Sequence, residues 1–316
     1  MAESTRSRLV AAAKVIATVT LLALVFRKIP LADVTERLGR LRVGDIAALL
    51  VVTTTQVALN VARWWRLLRS VGERVPYRAV FGDLCVGISW SMILPGIGGD
   101  VMRALRARRR VRAPHHAWST SIYERIVGLF AMTTVATIAV ALGLSDSVAL
   151  PSWLRGATFA LTLALALVLV FASTPFRVLA RVLGRKLPAA ASADIAGIAD
   201  DLAGPLAKTS VRAEAFAWSL AYHATALLFA IISARALGAP GHERAIVVGV
   251  PLINVLSLVP VTIGGHGLRE GLYVGVLGAL GMSGDVALGL SAMFLASALL
   301  FSLVGAAVLL VSPAKR

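Results

Sequence analysis

LPGIGGDVMR at residues 94–103 and VPVTIGGHGLR at residues 259–269 decide how this chain folds. Each carries a proline, then a Gly-Gly pair, then an arginine five residues after the first glycine. The pairs are Gly98-Gly99 with Arg103 and Gly264-Gly265 with Arg269. Each closes a long apolar run, so each breaks a hydrophobic segment where a spanning helix would continue.

The surrounding composition is that of a membrane. Of 316 residues, 58% are hydrophobic and 15% charged, against about 25% charged in a soluble domain. Mean hydropathy is +0.82, and the apolar runs approach the roughly 20 residues that cross a bilayer. The sequence therefore predicts an all-α polytopic membrane protein: one transmembrane domain over 1–316, with little room for a soluble domain. The single cysteine, Cys85, excludes an intramolecular disulfide framework and a thiol metal cluster, and reads as a small packed residue. The net charge of +16 fits cytoplasmic Lys/Arg bias and anionic headgroups. The basic residues form no Arg/aromatic ribbon, so nucleic acid is set aside as a partner.

About six full spans are expected, near 9–26, 45–62, 117–143, 156–173, 214–237 and 285–311. The first could pass for a signal peptide, but Arg27 and Lys28 follow at once, so it reads as retained, with Lys14 snorkelling at its start. The arginine-rich loops 62–78 and 103–112 flank segment 79–99 and should both be cytoplasmic. That segment must then enter and leave by the same face, as a re-entrant hairpin. The same count, with the chain ending at Lys315 and Arg316 in the cytoplasm, makes 245–280 a second hairpin entering from outside. Two related hairpins from opposite faces mark an inverted repeat. The expected units are 45–143 and 214–311, joined by a cytoplasmic connection, 174–213, of one or two amphipathic helices carrying Arg177, Arg181, Arg185 and Lys186. Both termini fall in the cytoplasm. Loop 27–44 disagrees: it carries Arg27, Lys28, Arg37, Arg40 and Arg42 yet falls outside, with Asp33 and Glu36 on an amphipathic helix there.

Ionisable residues near apolar spans are functional candidates. They are Asp83, Asp100, Arg103, Glu124, Arg125, His223, Arg269 and Glu270. Gly98-Gly99 and Gly264-Gly265 each read as the opening of a new helix, whose free N–H groups and positive dipole end can take an anion. An arginine one turn on adds a bidentate fork for phosphate. The alternatives stay open: Gly-Gly after proline is also a tight turn or a close helix contact, and Glu124–Arg125 and Arg269–Glu270 also serve as charge-neutralising pairs. Asp83 reads as an interface residue and His223 as a packed or hydrogen-bonded histidine. No phosphate loop, HExxH or GxSxG motif is present. GIGGD resembles the GxGD of intramembrane aspartyl proteases, but Ile97 stands where the first glycine is required. His115 and His116, adjacent at a membrane surface, are not expected to share a metal.

NVARWWRLLRSVG (60–72), LPGIGGDVMRALR (94–106), SIYERIVGL (121–129) and VPVTIGGHGLREG (259–271) resemble, in this order, the lysylphosphatidylglycerol synthase transmembrane family. That family includes the membrane flippase domain of the multiple peptide resistance factor and many stand-alone bacterial and archaeal proteins. The resemblance, over about 10–311, implies a plasma-membrane protein that moves a lipid between leaflets, without cofactor or metal. No soluble aminoacyl-transfer domain is expected after residue 311. The matching positions are Arg63, Gly98, Gly99, Asp100, Arg103, Glu124, Arg125, Gly264, Gly265, Arg269 and Glu270. The substrate is then an anionic phospholipid or a polyprenyl-phosphate-linked lipid, its phosphate held at the two Gly-Gly helix starts with Arg103 and Arg269. The alternatives are a non-transporting lipid-binding scaffold for a glycosyltransferase or lipid-synthesis enzyme, and a membrane lipid transferase with Glu124 or Glu270 as base.

Overall fold

The computed structural model describes residues 16, 18–27, 29, 31–94, 97–144, 152–183, 188–257 and 261–311. Expectations on Lys14, Lys28, Pro95, Arg185, Lys186, Pro260, Lys315 and Arg316 lie outside them. All regular structure among the described residues is helical: α1 (Thr18–Arg27), α2 (Leu31–Gly39), α3 (Val43–Ser70), α4 (Tyr77–Ser91), α5 (Gly98–Ala107), α6 (Pro114–Ala141), α7 (Ser152–Val170), α8 (Ser173–Leu183), α9 (Ala189–Ala203), α10 (Thr209–Ala236), α11 (Glu243–Leu256), α12 (Leu268–Leu272) and α13 (Gly284–Val311). A π-turn, Tyr273–Leu277, follows α12.

Helices α3, α6, α10 and α13 are each 28 residues long, about 42 Å at 1.5 Å per residue, which exceeds a hydrocarbon core of about 30 Å. These four are long and apolar enough to cross a membrane, or five spans if α7 and α8, bent by 61°, count as one. This count is of the described residues, and the first of the six expected spans, 9–26, is described only in part. The described part of α1 is a short apolar helix, and α7 makes a span only together with α8.

The two broken segments are hairpins. In the first, α4 and α5 pack on each other, and their glycines set the crossing: a Cβ on Gly99 would collide with the Gly87 carbonyl. Its open ends are tied together where Asp83, 1% exposed, pairs with Arg106 at 3.1 Å and with Arg110. In the second, α11 packs on the π-turn, and His242 Nε2 lies 3.3 Å from the Gly281 carbonyl at the open end. Arg66, late in α3, pairs with Glu214, early in α10. The two helices therefore run antiparallel, and the hairpins enter the bundle from opposite ends.

The packing is nearly two-fold. α3 lies on α10; α4 on α13 is matched by α11 on α6; α3 on α4 by α10 on α11; and α3 on α6 by α10 on α13. The exception is informative. α6 packs on α10, whereas the equivalent pair, α13 and α3, barely touches.

Two expected boundaries change. The basic stretch 103–112 is largely the second leg of the first hairpin, because Arg103, Arg106 and Arg110 turn inward to Asp100, Asp83 and Glu124. In the second hairpin no helix opens at Gly264. Gly264, Gly265 and Gly267 have φ of +59°, +78° and +82°, left-handed values that only glycine adopts freely, so α12 starts at Leu268. Within loop 27–44, Leu31–Gly39 folds as the amphipathic α2, and its Arg37 is neutralised by Asp285 and donates to the Leu237 carbonyl at 2.8 Å. That places the loop at the end where the second hairpin enters.

Candidate functional site

A cavity of about 490 Å³ lies between the two units. It is lined from α3 by Gln56, Asn60 and Arg63, from the first hairpin by Gly87, Gly99, Asp100 and Arg103, and from α6 by Glu124, Arg125 and Gly128. The second unit contributes Tyr222 and His223, Arg269, Tyr273, Phe294 and Phe301. α3 and α13, the pair without a packed interface, both line it.

Glu124 is the centre. It is 1% exposed and accepts from Arg63 Nε at 3.0 Å and Nη2 at 2.8 Å. Its other oxygen meets Arg103 Nη2 at 2.6 Å. Arg103 Nε lies 3.2 Å from Asp100 Oδ1, and Asp100 is also paired with Arg125. The chain Arg63–Glu124–Arg103–Asp100–Arg125 thus alternates in sign and carries one excess positive charge. Glu124 does not pair with its sequence neighbour: it bonds Arg63 and Arg103, not Arg125, because adjacent residues on a helix point apart.

Supporting groups hold the guanidinium planes. Arg63 donates to Ser219 Oγ and Asn60 Oδ1, each at 3.0 Å, and stacks toward Tyr222 at 5.3 Å. Arg103 donates to Ser121 Oγ at 3.2 Å and lies 4.6 Å over Trp64. Small and aromatic residues on apolar helices gave no site signal in the sequence. His223 Nε2 lies 2.9 Å from the Gly128 carbonyl.

The second hairpin contributes Arg269 alone from its motif. Its contact to Glu270 is 3.5 Å, and its Nε, though buried, has no hydrogen-bond partner. Glu270 instead accepts from the Gly267 amide at 2.6 Å, capping α12. The glycine pairs take packing roles. A Cβ on Gly98 would strike Leu94, and one on Gly264 would lie 2.5 Å from the Met92 carbonyl, where the two tips meet. The Ile263 amide donates to Thr18 Oγ1 of α1 at 3.1 Å. Of the expected residues, Arg63, Gly99, Asp100, Arg103, Glu124, Arg125 and Arg269 line the cavity; Gly98, Gly264, Gly265 and Glu270 do not.

A family model described as lysylphosphatidylglycerol synthase TM region matches residues 10–306. No curated protein and no solved structure matches the chain.

Proposed function

Because the chain belongs to the lysylphosphatidylglycerol synthase TM family, a family of membrane proteins, we propose that this cavity is the headgroup site of a lipid translocase. One observation carries the reading: four arginines and two carboxylates line the cavity, and the aromatic rings of Tyr273, Phe294 and Phe301 line it with them. A volume near 490 Å³ lies within the range of about 300–1,000 Å³ that encloses a small ligand. It suits a headgroup whose chains stay in the lipid.

The net positive charge selects an anion, and the substrate is an anionic phospholipid or a polyprenyl-phosphate-linked lipid. The Nε of Arg103 and of Arg269 are both buried without a hydrogen-bond partner. Arg269, whose one carboxylate contact is 3.5 Å long, is the less tightly held and so the better placed to take a phosphate oxygen. Arg103, ion-paired to Glu124 and Asp100, shifts toward it when the phosphate arrives. The glycine amides contribute less than the sequence motif implied, since the tips use their glycines to pack. A charged headgroup in bare hydrocarbon meets a steep barrier, and this polar lining lowers it. α3 and α13 form the open side and α6 and α10 the closed side. The other conformation exchanges them, as inverted units do when they alternate access. The basic ends of the first hairpin face the cytoplasm of a bacterial or archaeal plasma membrane, as do both termini. The cavity serves passage, not catalysis, and a lipid-synthesis enzyme or glycosyltransferase supplies or consumes the lipid.

The test is reconstitution with fluorescent phosphatidylglycerol and a zwitterionic control lipid. Wild type should flip the anionic lipid faster, and Arg103→Ala and Arg269→Ala should each slow it at least about tenfold, the loss of one charge-assisted bond of about 1.5–3 kcal/mol. Wild-type rates in both variants would overturn the phosphate clamp, and tight lipid binding without flipping would favour a scaffold.

A further inference from the structure

We propose that His115, His116 and Asp201 bind a borderline transition-metal cation, with Zn²⁺ as the reference ion, that clamps α9 onto the start of α6. The cluster lies outside the cavity. His115 and His116 stand in the first turn of α6, just after Pro114, and Asp201 in the last turn of α9. One ligand atom from each lies within 4.8 Å of the others.

The spacing is that of ligands around a common centre. His116 Nε2 is 3.6 Å from Asp201 Oδ1, and His115 Nε2 is 4.0 Å from Oδ2. Both exceed the roughly 3.2 Å limit of a good N–H···O bond. The first matches the edge of a tetrahedron built on bonds of about 2.0–2.2 Å, which is about 3.3–3.6 Å; the second runs to the other carboxylate oxygen, so the His115 ring has the longer way to move. A small inward movement of the two rings would complete the set.

A second observation is independent of the spacing. His116 Nδ1 lies 2.6 Å from Glu73 Oε1, and Glu73, 3% exposed, is fixed by the Arg112 amide at 3.0 Å. With Nδ1–H donating to Glu73, Nε2 presents its lone pair toward Asp201. Metal-bound histidines are oriented by an outer carboxylate in this way. Ser119 Oγ similarly orients Asp201, donating to Oδ2 at 2.5 Å. α9 is also shaped to receive the imidazole: a Cβ on Gly197 would lie 2.5 Å from His115 Cγ.

Two imidazoles and one carboxylate favour Zn²⁺, Co²⁺ or Ni²⁺ over Mg²⁺ or Ca²⁺. The histidine side chains remain 24% and 18% exposed, which leaves an edge for the ion to enter and for water to fill a fourth position. α9 belongs to the connection between the two units, so the ion would tie that connection to the first unit and, through Glu73, to the turn after α3.

The experiment uses the full chain, purified in detergent without a polyhistidine tag and stripped with a chelator. Titration with Co²⁺ should give the intense visible bands of a tetrahedral site at one ion per chain, displaced by Zn²⁺. Asp201→Asn and His115→Ala should each abolish the bands, and Glu73→Gln should weaken binding about 10- to 100-fold. His242→Ala, distant from the cluster, should leave binding unchanged. Zn²⁺ should also slow amide exchange in α9 of the wild-type protein. A wild-type chain that binds no Co²⁺, or binding that survives Asp201→Asn and His115→Ala combined, would overturn the site and leave a salt-bridged latch.

Discussion

Where the first unit places Arg63 and Glu124, the second places Phe229 and Phe294. The positions correspond: Arg63 and Phe229 stand equally far from the starts of α3 and α10, and Glu124 and Phe294 from the starts of α6 and α13. In one unit the pair is a buried ion pair at 2.8 Å. In the other it is two rings with centroids 4.6 Å apart. Arg103 and Arg269 correspond in the same way, but Arg103 meets two carboxylates and Arg269 one, at 3.5 Å. Equivalent helix positions are thus filled once by an ion pair and once by aromatic packing. Of these four side chains Arg63, Glu124 and Phe294 line the cavity, so a charged surface and an aromatic one meet there. A symmetric pair of charged walls would repel the chain end of a lipid, and a symmetric pair of apolar walls would admit no headgroup.

The contrast should be largest in stability. Glu124→Gln leaves Arg63 and Arg103 buried beside a neutral amide, and removing one partner of a buried pair costs about 3–5 kcal/mol. Phe294→Leu, at the equivalent place, removes a ring contact of about 0.5–1.5 kcal/mol beyond its area. Thermal unfolding in detergent should therefore fall much further for Glu124→Gln, and equal losses would break the comparison. Next comes the contact of α4 with α13. A Cβ on Gly305 would run into the Cys85 carbonyl, where Ser89 Oγ also donates to the Ser302 carbonyl at 2.7 Å. Gly305→Ala should cost about 1–3 kcal/mol by overpacking. Its counterpart at the α6–α11 contact is Val135, beside Pro251, so that interface already holds a branched side chain. A Gly305→Ala protein as stable as wild type would mean that the two interfaces are equally roomy.

Much of this was legible in the sequence. The doubled Gly-Gly motif and the charge of the flanking loops point to two hairpins, and the list of intramembrane charges contains Asp100, Arg103, Glu124, Arg125 and Arg269. The pairing was not legible, because partners come from different helices: Glu124 from α6 takes Arg63 from α3 and Arg103 from α5. Arg63 entered the candidate site only through the family resemblance, since by charge alone it reads as one more arginine of the basic loop 62–78. Phe229 and Phe294 carry no signal, as apolar residues on apolar helices are the default. Asp201 joins His115 and His116 only because α9 folds back on α6, a contact that no local pattern encodes. The glycine motif misled in one respect: repetition of residue type did not mean repetition of backbone, since Gly98 and Gly99 are helical while Gly264 and Gly265 are left-handed.

The smallest expected change in stability tests the comparison most sharply, because it separates holding the fold from holding the ligand. Lysine keeps the charge but loses the planar fork. Arg103→Lys gives up geometry to Glu124, Asp100 and Ser121 together, so it should lower stability by about 1–2 kcal/mol, a charge-assisted bond or so. Arg269→Lys gives up one long contact to Glu270 and should cost no more than about 0.5 kcal/mol, the low end for a single hydrogen bond. If Arg269 serves the ligand, its lysine variant should still flip fluorescent phosphatidylglycerol several-fold more slowly, at an unchanged unfolding temperature. Arg103→Lys should lose rate and stability together. A destabilised Arg269→Lys protein with full transport would reverse the assignment, making the second arginine the structural one and the charged wall of the first unit the only place where phosphate is read.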